Sequence, residues 1–232
     1  MVWERVLLLR HAPRGAVPFR LFVFDLDGTL VDSRKDIADA ANELLASCGA
    51  DPIAEALIGR MVGDGAATLV ARAFAAAGRT PPPDALDRYL ALYSRRLLDH
   101  TRAYPGVPAV LASLRSRVAL GVLTNKPLAS TRRILDGLSL SGYFSDDAVV
   151  GGDGEWPRKP DPGGLRHLAS AAAISLEDTL LVGDSEVDWR TARAAPAAIC
   201  LARYGFGFEG FPLERLAPAD RVIDSPVDLL RL

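Results

Sequence analysis

Cysteine, histidine, charge imbalance and long apolar runs are all scarce in this 232-residue chain. Its two cysteines, Cys48 and Cys200, form no CxxC pair, which suits a reducing cytosol better than a disulfide framework. The three histidines, His11, His100 and His167, are scattered without zinc-ligand spacing. Lys and Arg number 27 against 29 Asp and Glu, and a net charge of −2 gives no basis for binding nucleic acid or an anionic membrane surface. No apolar run approaches the ~20 residues of a membrane span. The remaining class is a soluble, cytoplasmic globular chain, 49% apolar and 24% charged, long enough for one or two domains with a real core.

The opening stretch, MVWERVLLLRHAPRGAVP, has an apolar segment from Val6 to Leu9 that is too short for a signal-peptide core. Arg5, Arg10 and Arg14 hint at a transit peptide, but Glu4 and the lack of serine weaken that reading. LLLRHAPRG also resembles the strand-end Arg-His motif of histidine phosphatases, which would make His11 a nucleophile, yet nothing downstream offers its partners. Residues 1–18 are therefore read as an extension before the domain proper.

Short apolar strand candidates recur at wide spacing: Leu21–Phe24, Val118–Leu123, Ala148–Val150 and Thr179–Val182, with Ala198–Leu201 as a fifth. Helical spacing separates the later ones, at Val107, Val110, Leu111 and Leu114, at Leu128 to Leu138, and at Leu165 to Ala172. The alternation predicts a doubly wound, mainly parallel α/β sheet. Between Asp27 and Val118 no strand stands out, and three apolar stripes follow helical spacing instead. They are Ile37 to Cys48, Leu69 to Ala77, and Leu86, Leu90, Tyr93 and Leu97. This interval is far longer than a βα crossover needs. It is read as a helical cap, residues 34–102, inserted into a core made of 19–33 and 103–232, with hinges near Asp32-Ser33 and Tyr104-Pro105.

Ligands of open α/β sheets bind at the carboxyl ends of the strands, so the residues that follow each strand carry the functional signal. After the first come Asp25, Asp27, Gly28 and Thr29; after the second, Thr124, Asn125 and Lys126; after the third, Arg158, Lys159 and Pro160; after the fourth, Gly183, Asp184, Ser185 and Asp188. Each alone could be a turn or a helix cap, and Asp184-Ser185 could begin a helix. All four together, in this order, argue for one shared site.

Electrostatics then narrows the chemistry. Converging carboxylates of Asp25, Asp27 and Asp184 would cost about 4 kcal/mol per pair at 4 Å and an effective dielectric of 20. A hard divalent cation removes that penalty, and Mg²⁺ suits one or two carboxylates, water and a phosphate oxygen. Lys159 with the Thr124 and Asn125 donors would hold the other phosphate oxygens. Acids, one base and neutral donors around Mg²⁺ describe phosphoryl transfer, in which one aspartate attacks and the other moves protons.

DLDGTL, LTNK, RKPDP and GDSEVD, in this order, match the four motifs of the haloacid dehalogenase-like hydrolase superfamily, and the match runs through nearly everything from Phe19 onward. Within it, YPGV, LGVLTNKP, YFSDDAVVGGD, RKPDPGGL, VGDSEVD and ARYGFG resemble the phosphoglycolate phosphatase group. The resemblance implies Asp25 as the nucleophile that forms an aspartyl-phosphate. It implies Asp27 as the acid and base, with its backbone carbonyl toward Mg²⁺. Thr124 and Lys159 would bind the phosphoryl group with Asn125 beside them, Asp184 would ligate the metal directly, and Asp188 would orient a metal-bound water. The inserted helices would be the family's small cap, with MVGDGAATLVARAF resembling a glycine-containing cap segment. One departure is ARAAPAA, where Pro196 replaces the usual glycine, a change that a helix C-terminus tolerates.

Rival chemistries separate on single residues. A haloacid dehalogenase needs neither a metal nor Asp27; a phosphonate hydrolase would want a cap lysine, and the cap contains only Lys35, at its edge. A sugar-phosphate phosphatase or phosphomutase keeps all four motifs, whereas a non-catalytic regulatory protein would be expected to lose a motif residue. Gly63-Asp64-Gly65 would open a cap helix, whose N-terminus suits a substrate carboxylate or other anion, so Gly63 and Gly65 join the substrate-binding set. Arg60 and Arg72 carry a matching charge, but surface arginines are common. The expected reaction is hydrolysis of a small phosphomonoester such as 2-phosphoglycolate, without nucleic acid or membrane partners, by a monomer or homodimer.

Overall fold

The run Leu21-Phe22-Val23-Phe24 forms the central strand of the computed structural model, which describes residues 19–232. The extension at 1–18, with the reading of His11, lies outside the described residues. In chain order the strands are β1 (Leu21–Phe24), β2 (Val31–Asp32), β3 (Arg102–Ala103), β4 (Ala119–Leu123), β5 (Val149–Val150), β6 (Thr179–Gly183), β7 (Ala198–Ala202) and β8 (Arg221–Ile223). Six of them form one sheet in the order β5-β4-β1-β6-β7-β8, with every pair parallel. β1 lies between β4 and β6, with Leu21–Phe24 facing Ala119–Val122 on one side and Thr179–Val182 on the other.

Alternate residues of β1 serve opposite faces of the sheet, so an unbroken apolar run is what two covered faces require. Phe22 and Phe24 join a cluster with Val110, Leu111, Ile134 and Leu135, from helices α5 (Val107–Leu114) and α6 (Leu128–Gly137). Leu21 and Val23 join Leu165, Leu168 and Ala192, from α7 (Gly163–Ala171) and α8 (Glu186–Ala194). The chain is thus a doubly wound α/β fold. The connections leaving the sheet on either side of β1 part there, and that switch point is where such sheets bind ligands.

Earlier in the chain, four helices fill the interval between β2 and β3: α1 (Arg34–Ser47), α2 (Glu55–Gly59), α3 (Ala66–Ala76) and α4 (Ala85–Arg95). Their apolar faces are continuous with the Phe22–Phe24 side of the sheet. β2 and β3 pair antiparallel and close the base of this segment, a ribbon of two residues on each side that is too short to register as a strand pattern. The buried Asp36 carboxylate of α1 reinforces the closure, accepting hydrogen bonds from the backbone amides of His100 and Thr101 and from the Thr101 hydroxyl (2.7 Å).

Two details differ from the sequence expectation. The edge strand β8 lies outside the expected set, because its three residues carry no apolar run. Of the expected stripe Leu86, Leu90, Tyr93 and Leu97, the last two are buried, while Leu86 and Leu90 are only half-buried and Ala85 and Tyr89 take the core face of α4 in their place. Two tyrosines at i and i+4 therefore face inward, stacked with ring centroids 5.9 Å apart.

Candidate active site

Strand order brings the expected residues to one edge. Asp25 and Asp27 follow β1, Thr124, Asn125 and Lys126 follow β4, Lys159 comes from the loop after β5, and Asp184 and Ser185 follow β6. All of these side chains are buried. The Asp25 amide still pairs with the Val182 carbonyl (2.8 Å), so the first carboxylate is held at the last rung of the ladder.

Lys159 sits between two acids. Its Nζ lies 2.9 Å from Asp25 Oδ1 and 2.6 Å from Asp188 Oδ1. Oδ1 of Asp25 also accepts from the Leu26 amide (2.7 Å), whereas its Oδ2 makes no hydrogen bond among the described residues. Asp188 braces a helix as well. Its Oδ2 accepts from the Ser185 amide (3.1 Å) and hydroxyl (2.6 Å), closing a capping box at the start of α8. Asp184 Oδ2 accepts from the Gly207 amide at 2.7 Å.

Oxygens of Asp25, Asp184 and Asp188 lie within 4.8 Å of one another, three buried carboxylates against the single ammonium of Lys159. Burial pushes the Asp25 carboxyl up to about 7, with Lys159 opposing and Asp188 and Asp27 adding to the rise. Burial likewise raises Asp184 well above the carboxylate range, helped by the charges of Asp188 and Asp25. Lys159 is driven the other way: burial alone would lower it, but the charges of Asp188 and Asp25 hold it above the usual lysine value. An all-oxygen donor set with this much uncompensated negative charge fits a hard divalent cation.

Asp27 points elsewhere. Its Oδ1 accepts from the Ser33 hydroxyl (2.5 Å), and its Oδ2 faces Lys126 Nζ at 3.1 Å. The two aspartates are thus separately oriented, one by Lys159 and the other by Ser33 and Lys126. Thr124 Oγ1 accepts from the Lys126 amide (3.3 Å).

Asn125 departs from the phosphate-binding expectation. Its amide nitrogen donates to the carbonyls of Gly63 (2.8 Å) and Lys159 (2.9 Å), and its oxygen accepts from the Lys159 amide (2.8 Å). With both N–H groups engaged, the side chain braces the Lys159 backbone and the helical segment instead of facing a phosphate oxygen.

Gly28 is where the backbone approaches most closely. At φ +83°, a Cβ there would stand 1.9 Å from Asp184 Oδ2. Gly28→Ala is expected to destabilise the protein by roughly 2 kcal/mol or more, from left-handed strain and the collision together, and to lower turnover by displacing Asp184. Urea unfolding checks this, and wild-type stability with wild-type activity would show that the close approach is dispensable.

A cleft with an empty volume of about 570 Å³, open solvent included, separates the strand ends from the helical segment. Asp25, Asp27, Thr124, Asn125 and Lys126 line it from below; Gly63, Gly65, Leu69, Tyr89 and Tyr93 line it from above. Gly65 caps the N-terminus of α3, so that helix end does open onto the cleft. Arg60 and Arg72 do not: they pair with Glu209 (3.2 Å) and Asp64 (2.6 Å) and line a separate cavity. Ser33, Tyr93 and Gly207 join the site without having been expected there. Ser33 lies beside the first strand-end motif and Gly207 lies in ARYGFG, but Tyr93 carries no such signal.

A sequence model of the haloacid dehalogenase-like hydrolases matches residues 19–196. The chain is 44% identical over 196 residues to the phosphoglycolate phosphatase of Rhodospirillum rubrum, covering 81% of this chain and 80% of that protein. It is 38% identical over 217 residues to phosphoglycolate phosphatase 1 of Pseudomonas aeruginosa, covering 91% and 78%. Its fold is similar to the crystal structure of a predicted phosphoglycolate phosphatase from Haemophilus somnus, with a TM-score of 0.85 and 29% identity over 94% of this chain and 99% of that one.

Proposed function

The chain belongs to the haloacid dehalogenase-like hydrolase family, and from that premise we infer an Mg²⁺-dependent phosphatase that forms an aspartyl-phosphate on Asp25. The substrate is a small phosphorylated acid such as 2-phosphoglycolate, a reading supported by relatives that carry the name phosphoglycolate phosphatase. The observation that carries this reading is the pair Asp25 and Asp27, buried at the end of β1 and held by different cations. A dehalogenase would have no use for the second acid.

Asp25, restrained through Oδ1, attacks phosphorus: its new O–P bond forms as the ester P–O bond breaks, and Asp27 hands a proton to the departing oxygen. Asp27 then takes a proton from water, which forms a P–O bond as the Asp25–phosphorus bond breaks, releasing phosphate and restoring the Asp25 carboxylate and the protonated Asp27. Lys159 and Thr124 neutralise and position the transferring group, while Asn125 holds Lys159 in place. Asp25, Asp184 and the Asp27 carbonyl would hold Mg²⁺, with Asp188 orienting its water. When bound, the ion supplies charge neutralisation for the phosphoryl oxygens. The helices between β2 and β3 act as a cap, residues 34–102, over the cleft, with Gly63 and Gly65 in its substrate-facing loop. Turnover of a panel of phosphomonoesters with Mg²⁺, compared as kcat/KM, tests the assignment; no hydrolysis of any member would reject it.

Cation binding has a readout independent of turnover. At one hundred times its dissociation constant, Mg²⁺ should stabilise the fold by about 2.7 kcal/mol, a rise of roughly 5–10 °C in Tm for a chain of this size. Asp184→Asn should remove most of that rise. A wild-type Tm indifferent to Mg²⁺ would count against the metal site.

A further inference from the structure

We infer that Lys126 is the specificity-determining cation of this site, and that it seats a carboxylate one carbon away from the ester oxygen of the substrate. The inference rests on the phosphatase reading above and adds to it the residue that selects the substrate class. Lys126 is 8% exposed and, among the described residues, is the one cationic side chain lining the cleft. Its ammonium donates to the Tyr93 hydroxyl at 2.6 Å, faces Asp27 Oδ2 at 3.1 Å and lies 4.3 Å from the centre of the Tyr93 ring. An ammonium has three donors, and these contacts engage two among the described residues.

Asp27 sets the scale of the site. The acid must lie within about 3 Å of the oxygen it protonates, and Lys126 lies 3.1 Å beyond that acid. In 2-phosphoglycolate the carboxylate oxygens stand only roughly 3 Å from the ester oxygen, three bonds away. A carboxylate so placed comes to rest beside Asp27, which as the proton-bearing acid supplies no positive charge, so a cation within reach of both must hold it. Lys126 is the group in position to be shared.

The remaining walls fit the same class of substrate. Ile37, Val62, Leu69, Tyr89, Leu90 and Pro127 are apolar or aromatic, the Tyr93 hydroxyl is already engaged by Lys126, and Ser130 adds a single hydroxyl. Such a surface satisfies a short carbon backbone, whereas the row of hydroxyls on a sugar would lose hydrogen bonds to water without replacing them. The two arginines of the helical segment that could rival Lys126 face the other cavity.

The test compares kcat/KM for 2-phosphoglycolate and for ethyl phosphate, which carries a methyl group in place of the carboxylate. Wild type should favour 2-phosphoglycolate strongly, and Lys126→Met should reduce that preference by roughly 10–100-fold, the worth of a charged hydrogen bond. Lys126→Arg should recover part of it. If Lys126 only positioned Asp27, both substrates would lose equally and the preference would persist, which would overturn the inference while leaving the phosphatase reading intact. Hydrolysis of neither ester by wild type would instead remove the reading on which the inference rests. Should Lys126→Met fail to fold by circular dichroism, a chain-length series on wild type carries the test. Moving the carboxylate one methylene further, in 3-(phosphonooxy)propionate, should cost at least roughly tenfold, and equal rates across the series would overturn the assignment.

Discussion

Asp25→Asn is expected to lower phosphatase turnover by roughly 10⁴–10⁶-fold, the scale on which loss of a covalent nucleophile acts, while leaving the fold in place. The substitution keeps the shape of the side chain and removes only its charge. Asp25 already lies in an environment that opposes that charge, since burial and the neighbouring acids raise its carboxyl to about 7. Lys159 loses one partner at 2.9 Å but keeps Asp188 at 2.6 Å, so no buried ammonium is left alone. Thermal stability without added cation should therefore match or exceed that of the wild type. Activity and Tm measured on the same preparation check both halves. A variant that unfolds, or one that retains near-wild-type turnover, would each contradict the role given to Asp25.

Asp27→Asn should reduce hydrolysis of alkyl phosphates by about 10²–10⁴-fold, because expelling an alkoxide without a proton is difficult. p-Nitrophenyl phosphate should suffer less in the first step, since its leaving group departs without a proton. The second step still fails, because the water that must attack Asp25-bound phosphate has lost its base. With the activated ester, the variant should accumulate phosphoenzyme, detected on Asp25 by mass spectrometry after a rapid acid quench. The geometry makes the experiment clean, because Asp27 is oriented by Ser33 at 2.5 Å and Lys126 at 3.1 Å, and its carboxylate stands apart from the Asp25, Asp184 and Asp188 group. Equal losses on both substrates with no trapped intermediate would remove its acid–base role and leave it a structural carbonyl donor.

The parallel sheet was legible because covered strands must be apolar on both faces, and Leu21–Phe24, Ala119–Leu123 and Thr179–Gly183 are short unbroken apolar runs. The candidate site residues were legible for a related reason. Polar side chains directly after such runs have no place in a core, so Asp25, Asp27, Thr124 and Asp184 stand out in the sequence alone, and Lys159 stands out through the RKPDP motif. The ribbon of β2 and β3, the edge strand β8 and the buried face of α4 were not legible. The strands are only two or three residues long, and Ala85 and Tyr89 read equally well as half-buried neighbours of Leu86 and Leu90.

By itself, then, the sequence determined the fold class and which side chains meet at the strand ends, because burial pattern and strand-end chemistry are local properties of a chain. Partnership is not local. That Asp27 answers to Ser33 and Lys126, that Asn125 braces Lys159 instead of facing a phosphate, and that Tyr93 reaches Lys126 across the cleft were decided only by the tertiary structure. Each of these contacts joins residues brought together by sheet order and by the seating of the helical segment. A hydrogen bond has a reach of about 3 Å, and no spacing along the chain encodes which groups will come within it.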